Sequence, residues 1–333
     1  MKLIIPMAGM GKRLRPHTLI TPKPLFPIAG KPIVQRLAED IAAMSGEAIN
    51  EVAFIIGRFG KEVENRLLHI AESIGASGKI YYQDEALGTG HAIHCARPSL
   101  TGPVIVAFAD TLFSADFKLD PSHEGVIWVK QIDDPSQFGV VTIDDNGYIS
   151  GFAEKPKEFV SDLAIIGIYF FRDGDLLRTE LDHLIEHGPV KNGEYQLTDT
   201  LERMQQAGIK FVPGEVNQWM DCGNKDAVID THRAILEKSG NTHIIAENAI
   251  VENSTIINPV YIGPGARVEN AVIGPFVSLE SGASVCNAVV SDAILRENCS
   301  VQKASIQNAI VGIHALVNKS GTDLSVGDYS VVK

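Results

Sequence analysis

The chain is 333 residues long and has few cysteines, no long apolar run and no excess of positive charge. The four cysteines, Cys95, Cys222, Cys286 and Cys299, lie far apart, with no CxxC pair and no Cys/His cluster. That spacing excludes a disulfide framework and an ordinary zinc site, and it predicts a reduced, cytoplasmic setting. The longest apolar stretch, Leu163 to Phe171, is nine residues. A membrane-spanning helix needs about 20 such residues, so no membrane association is expected. The opening, Met1 to Pro6, is too short and too soon broken by Pro6 to serve as a secretory core. Lys and Arg number 29 against 41 Asp and Glu, a formal net charge of −12. Such a balance argues against a general nucleic-acid binder. What is there is ordinary globular composition, 45% hydrophobic and 21% charged, on a length that suits two domains.

One further absence is local. Residues 1–38 contain no Asp or Glu, while Lys2, Lys12, Arg13, Arg15, Lys23, Lys31 and Arg36 all fall there. A basic, acid-free segment at the front of an acidic chain points to a local anion site rather than a polyanion-binding surface.

Two patterns divide the chain. In the first part, buried-strand segments (Lys2–Met7, Glu51–Ile56, Lys79–Gln83, Pro103–Phe108) alternate with helical spacing at Ile33, Leu37, Ile41 and at Val63, Leu67, Ile70, Ile74. Alternation of this kind predicts a parallel sheet with helices on both faces. Phe138–Ile143, the turn Asp145-Asn146-Gly147 and Tyr148–Phe152 read as a hairpin, and Leu163–Phe171 as another buried strand. A last helix is expected from an Asn224 N-cap to about Lys238, with Ser239-Gly240-Asn241 as a boundary.

From Ile245 the period changes. Aliphatic residues recur every five or six positions at Ile245, Val251, Ile257, Ile262, Val268, Ile273, Leu279, Val285, Val290, Leu295, Val301, Ile306, Val311 and Val317. This is the hexapeptide-type repeat of a parallel β-helix, with each aliphatic residue pointing into the coil and small residues at tight corners. Three such positions per coil give about four to five coils. A β-sandwich would instead need period-two alternation and longer turns.

The front loop carries the chemistry. The first strand runs into Met7-Ala8-Gly9-Met10-Gly11-Lys12-Arg13, where glycines let backbone N–H groups approach a phosphate chain. Arg13 can fork two phosphate oxygens. The loop is neither a full dinucleotide fingerprint nor a Walker loop, because Leu14 stands where a third glycine belongs and Arg13 follows Lys12. Next, Thr21-Pro22-Lys23-Pro24-Leu25 sets a lysine between two prolines, which restrict the backbone and aim Lys23.

Residues 8–34, AGMGKRLRPHTLITPKPLFPIAGKPIV, resemble the signature of the sugar-1-phosphate nucleotidyltransferases, also called NDP-sugar pyrophosphorylases. The resemblance continues through Gln83 with Leu87-Gly88-Thr89-Gly90-His91-Ala92, then Phe108-Ala109-Asp110, Phe152-Ala153-Glu154-Lys155-Pro156, Gly167 to Phe171, Gly193 to Asp199, and Trp219-Met220-Asp221-Cys222-Gly223. The repeat region is similar to that of the family's long members. The fold implied is α/β: a Rossmann-like mixed-sheet nucleotidyltransferase domain over 1–240, followed by a short left-handed parallel β-helix over 241–333.

The resemblance also implies a reaction and roles. Sugar 1-phosphate and a nucleoside triphosphate would give NDP-sugar and pyrophosphate. Arg13 would bind the β- and γ-phosphates and Lys23 the α-phosphate. Asp110 and Asp221 would hold Mg²⁺, which takes oxygen ligands. Met7, Ala8, Gly9, Gly11 and Thr89 would line the nucleotide site, and Gln83 with Gly88 would read a pyrimidine base. Gly139, Glu154, Lys155 and Lys191 would serve the sugar phosphate. The wording around Gly88 is closest to the thymidylyl- and uridylyltransferases: thymidylyl transfer to glucose 1-phosphate is expected, with uridylyl transfer to glucose- or N-acetylglucosamine-1-phosphate as the alternative. Departures from the pattern are Lys12 for the usual Thr, Ala109 for the frequent Gly, and Asn192 where short thymidylyltransferases carry Arg. Two rivals compete: an additional acyl transfer on the β-helix through His314, and a non-catalytic NDP-sugar-binding regulator. The tail is expected to assemble a homo-oligomer, since a regular coil offers flat faces and an open end.

Overall fold

In the computed structural model, which describes residues 1–333 apart from 115–117, 191–192 and 241–242, a mixed sheet is built around strand β1 (Lys2–Pro6). In chain order there follow α1 (Ile33–Met44), β2 (Glu51–Ile56), α2 (Lys61–Ser73), β3 (Ser77–Tyr82), α3 (Thr89–Cys95) and β4 (Val104–Ala107). Next come β5 (Gly125–Gln131), β6 (Gly139–Ile143), β7 (Ile149–Glu154), β8 (Leu163–Phe171), α4 (Gly174–His187), α5 (Leu197–Gln206), β9 (Phe211–Glu215) and α6 (Lys225–Lys238). The sheet order is β7-β6-β8-β4-β1-β2-β3, with β5 joining β8 to β9. β1 pairs in parallel with β2 and β4, and β2 with β3, as the helix-strand alternation requires. The parallel arrangement expected of the early strands holds as far as β4, and β8 runs antiparallel to β4, which makes the sheet mixed as the resemblance implies. The hairpin β6–β7 forms in the expected place, antiparallel, with Glu154 opposite Gly139.

The chain divides into two compact units. One comprises Met1–Gly9 and Gln35–Trp219, the other Met10–Val34 and Met220–Lys333. The first is the sheet with its helices. Its core packs Ile4, Ile55, Val106, Ile127 and Phe171 from the strands against Ile93, Leu177, Leu181 and Leu201 from the helices.

The second unit is a left-handed parallel β-helix with α6 and the segment 10–34 packed on it. Every strand pair in the coils is parallel, for example Ile250↔Arg267 and Arg267↔Ser284, one turn of 17 residues each. The aliphatic positions from Ile262 to Val317 are at most 2% exposed, and each projects into the coil interior. A second inward residue precedes most of them by two places and is small: Ala266, Ala271, Ala283, Ala288, Ala293, Cys299, Ala304, Ala309 and Ala315 are all buried. Large and small side chains thereby alternate across a narrow interior. Each fully buried aliphatic contributes about 1.5–3 kcal/mol, so a charge at Val285 would undo the local coil. Ile257 is a correction: it is 43% exposed, and its neighbour Ile256 packs inward instead. Corners are turned by Asn253, Asn270 and Asn287, all at positive φ, a conformation asparagine tolerates better than most residues.

α6 begins as expected: the Asn224 side chain accepts from the Ala227 N–H at 3.0 Å. The helix lies on the coils through His232 Nε2 to Ser278 Oγ at 2.6 Å and Arg233 Nε to Asp292 Oδ1 at 2.6 Å.

Candidate active site

In the sheet unit, β1 delivers Met7, whose N–H donates to the Ile55 carbonyl at 2.8 Å and whose side chain is core. The chain then opens: Ala8 is half-buried and Gly9 exposed. At Gly9 a Cβ would meet no described atom within 4 Å, so no packing in the chain requires the missing side chain there.

Gln83 follows β3, and its own N–H donates to the Ile56 carbonyl at 2.9 Å. Its amide Nε2 donates to the Gly88 carbonyl at 3.2 Å and lies 3.1 Å from His91 Nδ1. A carbonyl only accepts, so the nitrogen must face Gly88 and the second amide proton goes to His91. His91 Nδ1 is then an acceptor, and the ring proton sits on Nε2. Burial, with His94 adding to it, holds the His91 pKa below its ordinary value, consistent with a neutral ring. Both amide protons of Gln83 are thereby committed, and its Oε1 is the end of the amide turned away from those partners.

Gly88 has φ +102, and a Cβ there would sit 2.5 Å from the Tyr195 carbonyl oxygen and 2.7 Å from its nitrogen. Only glycine lets these two backbones meet. The segment is sewn down by Gly90 N–H to the Tyr195 carbonyl at 2.9 Å and Tyr195 N–H to the Leu87 carbonyl at 2.7 Å. Thr89 belongs to the same seam: its hydroxyl accepts from the Leu197 N–H at 3.0 Å and donates to Gln196 Oε1 at 3.4 Å.

A second group of the expected site residues lies at the other end of the same sheet. Asp110 is exposed just beyond β4. Gly139 and Glu154 face each other across the hairpin, and a Cβ on Gly139 would lie 3.1 Å from Glu154 Oε2. Lys155 follows at φ +43, its N–H bonded to the Phe138 carbonyl at 3.1 Å. Tyr169 is buried between them. Burial raises its hydroxyl pKa above the ordinary range, and the carboxylates of Glu154 and Asp110 push the same way. An aromatic wall completes the region: Phe138 meets Trp219 edge-on at 4.8 Å, and Trp219 Nε1 donates to the Thr111 hydroxyl. Lys191, with its neighbour Asn192, lies outside the described residues.

In the second unit, Gly11 is left-handed (φ +59), and a Cβ there would come 2.7 Å from Lys23 Cβ. The two halves of the signature are thus in contact. The Thr18 hydroxyl closes the loop by donating to the Gly11 carbonyl at 2.8 Å. Lys23, 9% exposed, opens a short 3₁₀ turn, Lys23–Leu25, while Arg13 is exposed. Arg13 and Asp221 converge on Gly223, where a Cβ would lie 3.0 Å from an Arg13 guanidinium nitrogen and 2.9 and 3.1 Å from the two Asp221 carboxylate oxygens. The Asp221 carbonyl accepts from the Thr231 hydroxyl at 2.8 Å, fixing the strand end against α6.

The structure therefore groups Gln83, Gly88 and Thr89, then Asp110, Gly139 and Glu154, in one unit, and Gly11 with Lys23, then Arg13 with Asp221, in the other. His91, Tyr169 and Trp219 were not singled out by sequence reasoning, although each lies within a motif of the family pattern. A polar side chain two places inside a glycine-rich turn was the available signal for His91.

Comparison with known proteins shows the family. The family model described as nucleotidyl transferase matches residues 2–238. The chain is 31% identical over 272 residues to the bifunctional protein GlmU of Methanococcus maripaludis, covering 78% of this chain and 62% of that protein. It is 30% identical over 277 residues to a glucose-1-phosphate thymidylyltransferase of Streptomyces antibioticus, covering 80% of this chain and 74% of the relative. A solved UDP-glucose pyrophosphorylase, complexed with UDP-glucose, superposes with a TM-score of 0.58 at 27% identity, covering 71% of this chain and 98% of that one.

Proposed function

Because the chain belongs to the nucleotidyl transferase family, we propose that it transfers a nucleotidyl group from a pyrimidine nucleoside triphosphate to a sugar 1-phosphate and releases pyrophosphate. The observation that carries the base assignment is the Gln83 amide, whose nitrogen is held by Gly88 and His91. An Oε1 acceptor beside a backbone N–H suits the N3–H and C4 carbonyl edge of thymine or uracil and mismatches cytosine, whose edge has the opposite polarity. Thymidylyl transfer to glucose 1-phosphate is the preferred form, as in the Streptomyces relative. Uridylyl transfer is the second form, supported by the likeness to the UDP-glucose pyrophosphorylase.

The sugar phosphate oxygen attacks the α-phosphorus in line, and alignment and charge neutralisation supply most of the acceleration. Arg13 holds the β- and γ-phosphates and stabilises the departing pyrophosphate. Lys23 neutralises the α-phosphate as the second anion approaches. The open backbone at Ala8 and Gly9 admits the phosphate chain, and the hydrogen-bond donors there need no displaced side chain. Glu154 accepts from sugar hydroxyls beside the bare Gly139, and Lys155 faces the sugar phosphate, with Lys191 as a second cation.

Mg²⁺ fits the donors present. Asp110 and Asp221 offer hard carboxylate oxygens, the donor chemistry that Mg²⁺ takes. When bound, the ion would neutralise phosphate charge.

A cytoplasmic setting and a functional division at residue 240 belong to the same reading. So does self-association through the β-helix, whose surface carries exposed Ile250, Ile257, Val289 and Val331; sedimentation tests it, and a strictly monomeric profile removes it. The direct test of the activity is pyrophosphate release with Mg²⁺ across dTTP, UTP, GTP, ATP and CTP against glucose-, N-acetylglucosamine-, galactose- and mannose-1-phosphate. Pyrimidine donors bearing N3–H should dominate. Release with CTP or ATP alone would overturn the base assignment, and release in no combination would favour the non-catalytic regulator.

A further inference from the structure

Segment 10–34 carries the phosphate-binding signature but almost no regular structure: two 3₁₀ turns, Lys12–Leu14 and Lys23–Leu25, and two strands of two residues, Pro27–Ile28 and Lys31–Pro32. Such a loop cannot hold a side chain to ångström tolerance by itself, since each free residue carries a conformational entropy of about 1–2 kcal/mol. Yet Thr21 and every residue from Lys23 to Ala29 are buried. Within the second unit, α6 packs on Pro27–Ile28, and coils of the β-helix meet the segment on either side of Lys23. His17 Nε2 lies 3.0 Å from Ser325 Oγ. The Gly30 N–H donates to Glu280 Oε1 at 3.2 Å, and Gly30 has no room for a side chain against the Tyr261 ring.

The most informative partner is Arg296. It follows the coil strand Val289–Leu295 and is 1% exposed. Its guanidinium carbon stands 4.8 Å from the centre of the Phe26 ring, and its Nη2 reaches the Thr21 hydroxyl at 3.5 Å. Its Nε donates to Glu297 at 3.0 Å, while its Nη1 is buried without a hydrogen-bond partner among the described residues. A buried, incompletely satisfied guanidinium is costly, and a β-helix has no need of one at a corner. Thr21 and Phe26 flank Lys23, two residues before it and three after it. A planar cation that stacks on one and bonds to the other pins the chain on both sides of the lysine.

We propose that the β-helix serves the catalytic loop as its mount, and that Arg296 is a positioning residue acting through Lys23. The proposal rests on the assignment of Lys23 to the nucleotide phosphates. The protein's second architecture then has a role in turnover without binding substrate.

The test is a double-mutant cycle on the full chain, Arg296→Met and Lys23→Met, read as the calorimetric affinity for dTTP and UTP and as the melting temperature. Each single variant should weaken nucleotide binding about tenfold or more, the scale of one charge-assisted contact. In the Lys23→Met background, Arg296→Met should cause no further loss, because its effect passes through the missing amine. Thr21→Val, which keeps the shape and removes the hydroxyl, should follow the same non-additive course more weakly and covers the case in which Arg296→Met does not fold. Additive losses, or a lower melting temperature with unchanged affinity, would show Arg296 to be structural only and overturn the proposal. A wild-type chain that binds neither nucleotide would overturn the functional reading beneath it.

Discussion

His91 Nδ1 lies 3.1 Å from the Gln83 amide nitrogen, so the ring acts as an acceptor and fixes which end of that amide faces away from the loop. Without this acceptor only Gly88 orients the amide. His91→Ala should therefore reduce the preference for UTP over CTP by about tenfold, the scale of one hydrogen bond. The kcat/KM ratio for the two donors measures it, and an unchanged ratio would remove His91 from base reading. Because burial lowers the pKa of His91, the neutral acceptor should persist through the usual imidazole range and the preference should decay only at lower pH.

Asp110 is exposed at the end of β4 and, with Glu154, acts on the buried Tyr169. Asp110→Asn should lower kcat roughly 10²-fold or more, as loss of a principal electrostatic stabiliser does. Turnover close to normal would mean that the carboxylate is not needed for holding the ion.

Gly223 is bare because Arg13 and Asp221 occupy the space its Cβ would take. Gly223→Ala must displace one of them by a few tenths of an ångström or more. A misplacement of about 1 Å costs about 10²-fold in turnover, so a smaller loss is expected here. Steady-state kinetics should show that loss with an almost unchanged melting temperature; a stability loss without a kinetic one would contradict the arrangement.

His17 is fully buried, and its pKa is lowered to about 4 by burial, with the charges of Arg296 and Lys225 adding to the effect. The unfolded chain titrates at 6.5, so between these values it binds more protons than the folded one. Stability is present above the unfolded pKa and is lost as pH falls toward 4, by about 3 kcal/mol in all. Denaturation midpoints taken near neutrality and near the folded pKa should show this loss, and His17→Leu should flatten it. An equally steep profile in His17→Leu would assign the acid sensitivity to other groups.

Much of this was legible before folding. Aliphatic residues every five or six positions identified the coils, because a side chain inside a repeat coil has only the interior to enter. The one slip, Ile257 for Ile256, shows the weakness of that signal. Neighbouring residues on a strand face opposite sides, so an Ile-Ile pair reads equally well in either register. The parallel sheet was likewise legible in its first strands, whereas the antiparallel turn of β8 depends on which free edge it meets.

Local features, then, came from the residues alone: the glycine-rich turn, Lys23 between prolines, and the acid-free basic stretch are adjacent in the chain, so short-range constraints set them. The tertiary structure decided what spans long separations. Arg296 meets Thr21 across 275 residues, and no period or spacing encodes that contact. It arises because an irregular loop must bury its apolar side chains against something, and the surface that receives them is built from the β-helix and α6.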